Sequence, residues 1–138
     1  MRENTTATKI LDAAFEVHTT LGPGLLESVY ETALFFELTT AGSHVERQKP
    51  IPLVYKGHKL EDGFRADLIV ERCVEVELKS IEVVPSVAYK ILLSHLRLAD
   101  LRLGPLIKFG EEHLKNGIKR VVNGLAETND SRQPSEGR

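Results

Sequence analysis

A chain of 138 residues with 41% apolar and 28% charged residues has the size and composition of one soluble globular domain. No run approaches the roughly 18 consecutive apolar residues that a membrane helix needs, and the start, MRENTTATK, has no apolar stretch between a basic end and a small-residue cleavage site. No membrane association and no secretory leader are therefore expected. The formal charge of −2 argues against a general nucleic-acid-coating protein, which would be basic, but not against an enzyme whose carboxylates await a cation. The single Cys73 cannot form an internal disulfide and has no CxxC partner, which fits a cytoplasmic setting and a small packing or turn role.

From Thr8 to Leu21, Ile10, Ala14, Val17 and Leu21 recur at helical spacing, with Leu11 and Phe15 widening the stripe. His18 lies on the apolar side and reads as a hydrogen-bonded packing residue, because it lacks ligand spacing. Gly22-Pro23-Gly24 ends the helix, and it lacks the length and Lys-Ser/Thr ending of a phosphate loop. A second helix carries Leu26, Val29, Tyr30, Ala33, Leu34 and Leu38 and stops near Gly42.

Strands come next. Ile51 to Tyr55 reads as an edge strand because of Pro50 and Pro52. Lys56-Gly57 turns the chain into Phe64 to Val70, and Glu71-Arg72 turns it again into Val74 to Lys79. In this last run Val74, Val76 and Leu78 alternate with Glu75, Glu77 and Lys79. The three strands are expected to form an antiparallel meander.

Helical spacing returns after Pro85 through Val87, Ala88, Ile91, Leu92, His95, Leu96 and Ala99. Leu103 to Phe109 is a candidate fourth strand, reached by a right-handed crossover. Leu114, Ile118, Val121, Val122 and Leu125 predict a final amphipathic helix. Residues 1–125 are expected to form one domain, and the polar stretch 126–138 a frayed tail. The predicted order is ααβββαβα, a mixed α/β domain.

Asp67 interrupts an otherwise apolar strand, and Glu77 and Lys79 project from one face of the next. Neighbouring strands would bring the three together. Magnesium takes one or two carboxylates and keeps waters and phosphate oxygens, so Asp67 and Glu77 could hold it with the Leu78 carbonyl as a third ligand. Lys79 would then position a water or stabilise charge in the transition state. The plainer reading of Glu77 and Lys79 is a solvated pair worth roughly 0 to 1 kcal/mol. Against it stands Asp67, a carboxylate among Ala66, Leu68 and Ile69, where burial is costly without a cation or donors. Arg65 shares its face and is the competing partner. Glu27, three residues before Tyr30, is expected to border the buried stripe of the second helix. It is either a carboxylate placed against the helix dipole or a third acid aimed at the sheet.

The pattern Gly24, Glu27, Tyr30, with Glu16-Val17-His18, Arg65-Ala66-Asp67-Leu68, Val76-Glu77-Leu78-Lys79 and the run from Asn116 to Leu125, resembles the GxxExxY protein family. That family looks like a branch of the PD-(D/E)XK nuclease superfamily. The resemblance implies a restriction-endonuclease-like core and a magnesium- or manganese-dependent nuclease acting on DNA or RNA. It makes Glu27 the helix acid, Asp67 and Glu77 the principal metal ligands and Lys79 the catalytic lysine. Three positions depart from the pattern: Ile91 stands where a Gln is expected, Glu75 where relatives are apolar, and Lys108 where they have Asn. Lys90 or His95 could supply the missing polar group, and Tyr30 is a further accessory candidate. The small surface available for gripping a duplex suggests a homodimer. The alternatives are a catalytically silent nucleic-acid- or protein-binding module on the same scaffold, and a structural ion network of Glu27, Asp67, Glu77 and Lys79.

Overall fold

The structure, a computed structural model, describes residues 2–125. The polar stretch 126–138 read as a tail lies outside them. The first helix, α1, spans Arg2–Leu21, and the second, α2, spans Glu27–Thr40. Between them the chain turns at Gly24, whose φ of +100° is a conformation that favours a residue without Cβ. The strands β1 (Val45–Tyr55), β2 (His58–Val70) and β3 (Val74–Lys79) follow in one antiparallel meander. Helix α3 (Val87–Ala99) crosses over to β4 (Leu103–Lys108), which pairs parallel to β3.

The last element corrects the sequence reading. The segment from Leu114 is a short 3-10 turn to Gly117 and then a strand, β5 (Ile118–Val122), antiparallel to β4. The order is therefore ααβββαββ, with five strands lying β1-β2-β3-β4-β5 across one mixed sheet. Gly117 explains the departure: a Cβ there would meet the Lys108 carbonyl oxygen at 2.5 Å, so the chain closes against β4 where a continuing helix would carry it away. Strand β1 lies at an edge, as its prolines suggested.

The alternation of β3 sets the two layers. Val74, Val76 and Leu78 join Ile10, Ala14, Tyr30, Leu34, Leu103 and Ile107 in the main core with α1 and α2. On the other side Leu92 and Leu96 of α3 pack with Leu106 and Val121. Leu106 is opposite Glu77 in the β3–β4 register, so the acids of β3 share the face that α3 covers.

Candidate active site

The β2–β3 ladder runs from Val70–Val74 to Leu68–Val76 and stops there. Continuing the register places Asp67 beside Glu77, and the strands separate at this point. The Leu78 N–H donates to Asp67 Oδ2 at 2.9 Å. On the other side Gln48, in the left-handed region with φ of 47°, reaches Asp67 Oδ1 at 3.4 Å and Glu31 Oε1 at 2.6 Å through its amide nitrogen. Arg65 does not pair with Asp67: its guanidinium donates to the Gln48 carbonyl at 3.0 Å. Burial raises the Asp67 pKa despite the Leu78 and Gln48 hydrogen bonds, and the nearby Glu31 charge raises it further.

Glu77 carries a strongly perturbed carboxyl. Burial first, and then the charge of Asp67, push its carboxyl up to about 7, against the lowering influence of Lys79. Lys79 Nζ lies 3.6 Å from Glu77 Oε2, and Glu77 Oε1 is buried without a hydrogen-bond partner. The three strand residues singled out in the sequence thus gather at the end of the β2–β3 ladder.

Glu27 stands at the first turn of α2, exposed rather than bordering the buried stripe. Its carboxylate nevertheless feels the cluster: partial burial and Asp67 raise its pKa, while Lys79 and the Ser80 backbone N–H lower it. The buried acid of this helix is Glu31, one turn further on, held by the Arg47 Nε at 3.2 Å and by Gln48. Nothing in the sequence pointed to Glu31 or Gln48, because Gln48 precedes the predicted start of its strand.

Tyr30 is fully buried and braces the turn before its own helix. Its hydroxyl donates to the Gly22 carbonyl at 2.6 Å and accepts the Leu25 N–H at 3.1 Å, and its ring stacks on Phe109 with centroids 4.6 Å apart. His18 also packs as expected, with Nε2–H donating to the Glu111 carbonyl at 2.8 Å.

On α3, Lys90 and Ile91 are exposed, while His95 turns inward. Its Nδ1 lies 3.0 Å from Oε2 of the fully buried Glu75, and its ring stacks on Phe64 at 3.9 Å. The Glu75 hydrogen bond raises the His95 pKa, while burial raises that of Glu75. Glu75 was visible in the sequence only as a charge at a position expected to be apolar. Among the described residues, Glu75, Glu77 and His95 each offer a ligand atom within 4.8 Å of the others. Glu75 Oε1, like Glu77 Oε1, is buried without a hydrogen-bond donor, so this donor set fits a divalent cation.

A five-stranded mixed sheet, helices on both faces and a strand-end group of acids beside a lysine define a restriction-endonuclease-like domain. A family model of the PD-(D/E)XK nuclease superfamily matches residues 4–121, and the chain belongs to that superfamily. No curated protein and no solved structure matches it. No helix among the described residues is long and apolar enough to cross a membrane.

Proposed function

We propose that this protein is a divalent-metal-dependent nuclease that hydrolyses phosphodiester bonds in DNA or RNA. The observation that carries the reading is the meeting of Asp67, Glu77 and Lys79 where β2 and β3 part, with a Glu77 oxygen buried and lacking a partner. Asp67, Glu77 and the Leu78 carbonyl would hold Mg2+ or Mn2+, with Glu27 bordering the site. When bound, the cation supplies charge neutralisation at the phosphate and a lowered pKa for a water.

The chain's own residues would do the rest. The Leu78 N–H fixes the rotamer of Asp67, so the ligand is oriented before metal or substrate arrives. Lys79, about a third exposed, can reach a phosphate oxygen and stabilise developing negative charge. Glu27, at the exposed end of α2, is placed to hold or accept a proton at the solvent side. Lys90 is exposed on α3 and would meet the nucleic acid backbone rather than the reacting phosphate.

The absence of an amide at Ile91, half exposed on α3, favours the second reading of a silent binding module. We further take the protein to be cytoplasmic and to work as a homodimer. Labelled single- and double-stranded DNA and RNA incubated with Mg2+ or Mn2+ test the proposal. Cutting that disappears in both Asp67→Asn and Lys79→Ala supports the nuclease. Metal binding with no cutting of any of these substrates favours the silent module.

A further inference from the structure

The Glu75–His95 pair is not needed by the site just described. A buried ion pair explains one Glu75 oxygen, Oε2, at 3.0 Å from His95 Nδ1. It leaves Glu75 Oε1 without a donor on a residue with no solvent exposure, and Glu77, partly exposed and two residues on along the same strand face, likewise has its Oε1 atom buried without a donor. Two buried acceptors without donors on one strand face are costly unless a proton or a cation reaches them. The imidazole, meanwhile, is clamped: Phe64 stacks on it with ring planes 13° apart, so its nitrogens have a fixed aim.

We propose that Glu75, Glu77 and His95 form a cation position of their own, on the α3 side of Glu77, which prefers a first-row transition ion such as Mn2+ to Mg2+. Its use in catalysis rests on the nuclease reading above; its binding does not. Two ligand atoms at about 2.1 Å from one ion and at right angles to one another lie about 3.0 Å apart. Glu75 Oε2 and His95 Nδ1 are already at 3.0 Å, and one ligand atom from each of the three residues falls within 4.8 Å of the others. The site therefore closes around an ion with small side-chain adjustments. The ion takes the place of the proton held between carboxylate and imidazole, which leaves to solvent.

The imidazole sets the preference. Magnesium takes oxygen ligands and keeps its waters, whereas first-row transition ions accept an imidazole nitrogen readily. Glu77 is placed to serve both positions, since its neighbours are Asp67 on β2 and Glu75 two residues before it on the same strand face.

Pulsed electron paramagnetic resonance of Mn2+ added to the full chain, with no nucleic acid present, tests this directly. Wild type should show the nitrogen modulation of a bound imidazole and should bind Mn2+ at least about tenfold more tightly than Mg2+, the low end of what a tuned ligand contributes. His95→Gln should lose the modulation and about tenfold or more in Mn2+ affinity, with Mg2+ affinity nearly unchanged. Should His95→Gln fail to fold, Glu75→Gln/His95→Gln, which keeps a neutral hydrogen-bonded pair, is held to the same criterion. Mn2+ bound by wild type without nitrogen modulation, or modulation that survives in the variant, overturns the proposal. Mg2+-supported cleavage without such modulation would sink this inference and leave the nuclease standing; modulation without cleavage under any metal would do the reverse.

Discussion

Asp67 accepts the backbone N–H of Leu78 through Oδ2 at 2.9 Å, at the point where the β2–β3 ladder has ended. The carboxylate thus takes a donor of β3 and keeps its other oxygen for Gln48 or a cation. Asn offers the same acceptor to Leu78 but one fewer negative charge. Asp67→Asn should therefore leave the metal-free melting temperature unchanged or raised at pH 8, since it relieves repulsion with Glu77 and Glu27. Cleavage in Mg2+ should fall at least about a hundredfold, beyond what loss of an outer partner of a ligand costs. A melting temperature lowered by several degrees would show that the carboxylate is a structural acceptor, as in the ion-network reading.

Glu77 couples the site to pH. Its folded pKa, raised to about 7 from 4.5, means that the folded chain binds more protons than the unfolded one between these values. Stability of the metal-free protein therefore falls as pH rises through that window and levels off above it, by an amount of the order of 3 kcal/mol. Glu77→Gln should flatten this slope and raise the metal-free melting temperature at pH 8 by several degrees. Asp67, Glu75 and Glu27 are raised in the same direction, and the raised His95 loses stabilising charge as pH climbs, so a residual slope remains. Thermal melts in a chelating buffer from pH 4.5 to 8 check it. An unchanged slope in Glu77→Gln would remove this residue from the account.

Much of the fold could be read because pattern and environment agree. The alternation from Val74 to Lys79 gave both strand and face, since one side packs in the core and the other carries charge. The segment after Leu114 misled because Leu114, Ile118, Val121 and Leu125 also fit a helical stripe. What decides it is a partner outside the segment itself, the free edge of β4, which Ile118–Val122 completes. The site was half legible for a similar reason. Asp67, Glu77 and Lys79 lie on consecutive strands joined by a single turn, where spacing predicts proximity. His95 meets Glu75 only through the packing of α3 on the sheet, and Glu31 meets Asp67 only through Gln48.

Tyr30 predicts a separation of stability from chemistry. Tyr30→Phe keeps the ring on Phe109 and removes both hydrogen bonds to the turn, leaving the Gly22 carbonyl and Leu25 N–H to find other partners. The expected cost is about 1 to 3 kcal/mol and a fall of several degrees in melting temperature. Metal affinity, measured well below that temperature, should change less than about threefold, because no metal-facing atom is lost. A large loss of affinity with little loss of stability would give the hydroxyl a role in the site itself.

Gly110 links the end of β4 to the same site. The Phe109 N–H donates to the Lys79 carbonyl at 2.8 Å, and the next residue passes so close to the chain after β3 that a Cβ would lie 2.4 Å from the Ser80 carbonyl oxygen and 2.5 Å from the Ile81 carbonyl carbon. Both are backbone atoms, so neither can swing aside as a flexible side chain would. Gly110→Ala must push Ser80 away, and the Ser80 backbone helps to hold the Glu27 pKa down. The overpacking should cost about 1 to 3 kcal/mol. Because the displaced backbone directly follows Lys79, cleavage should fall by more than the small change in folded fraction at 25 °C accounts for, by about tenfold or more. Melting curves and initial cleavage rates on the same preparation check both parts. A destabilised variant with wild-type rates would mean that the Ser80 backbone can shift without disturbing Glu27 or Lys79.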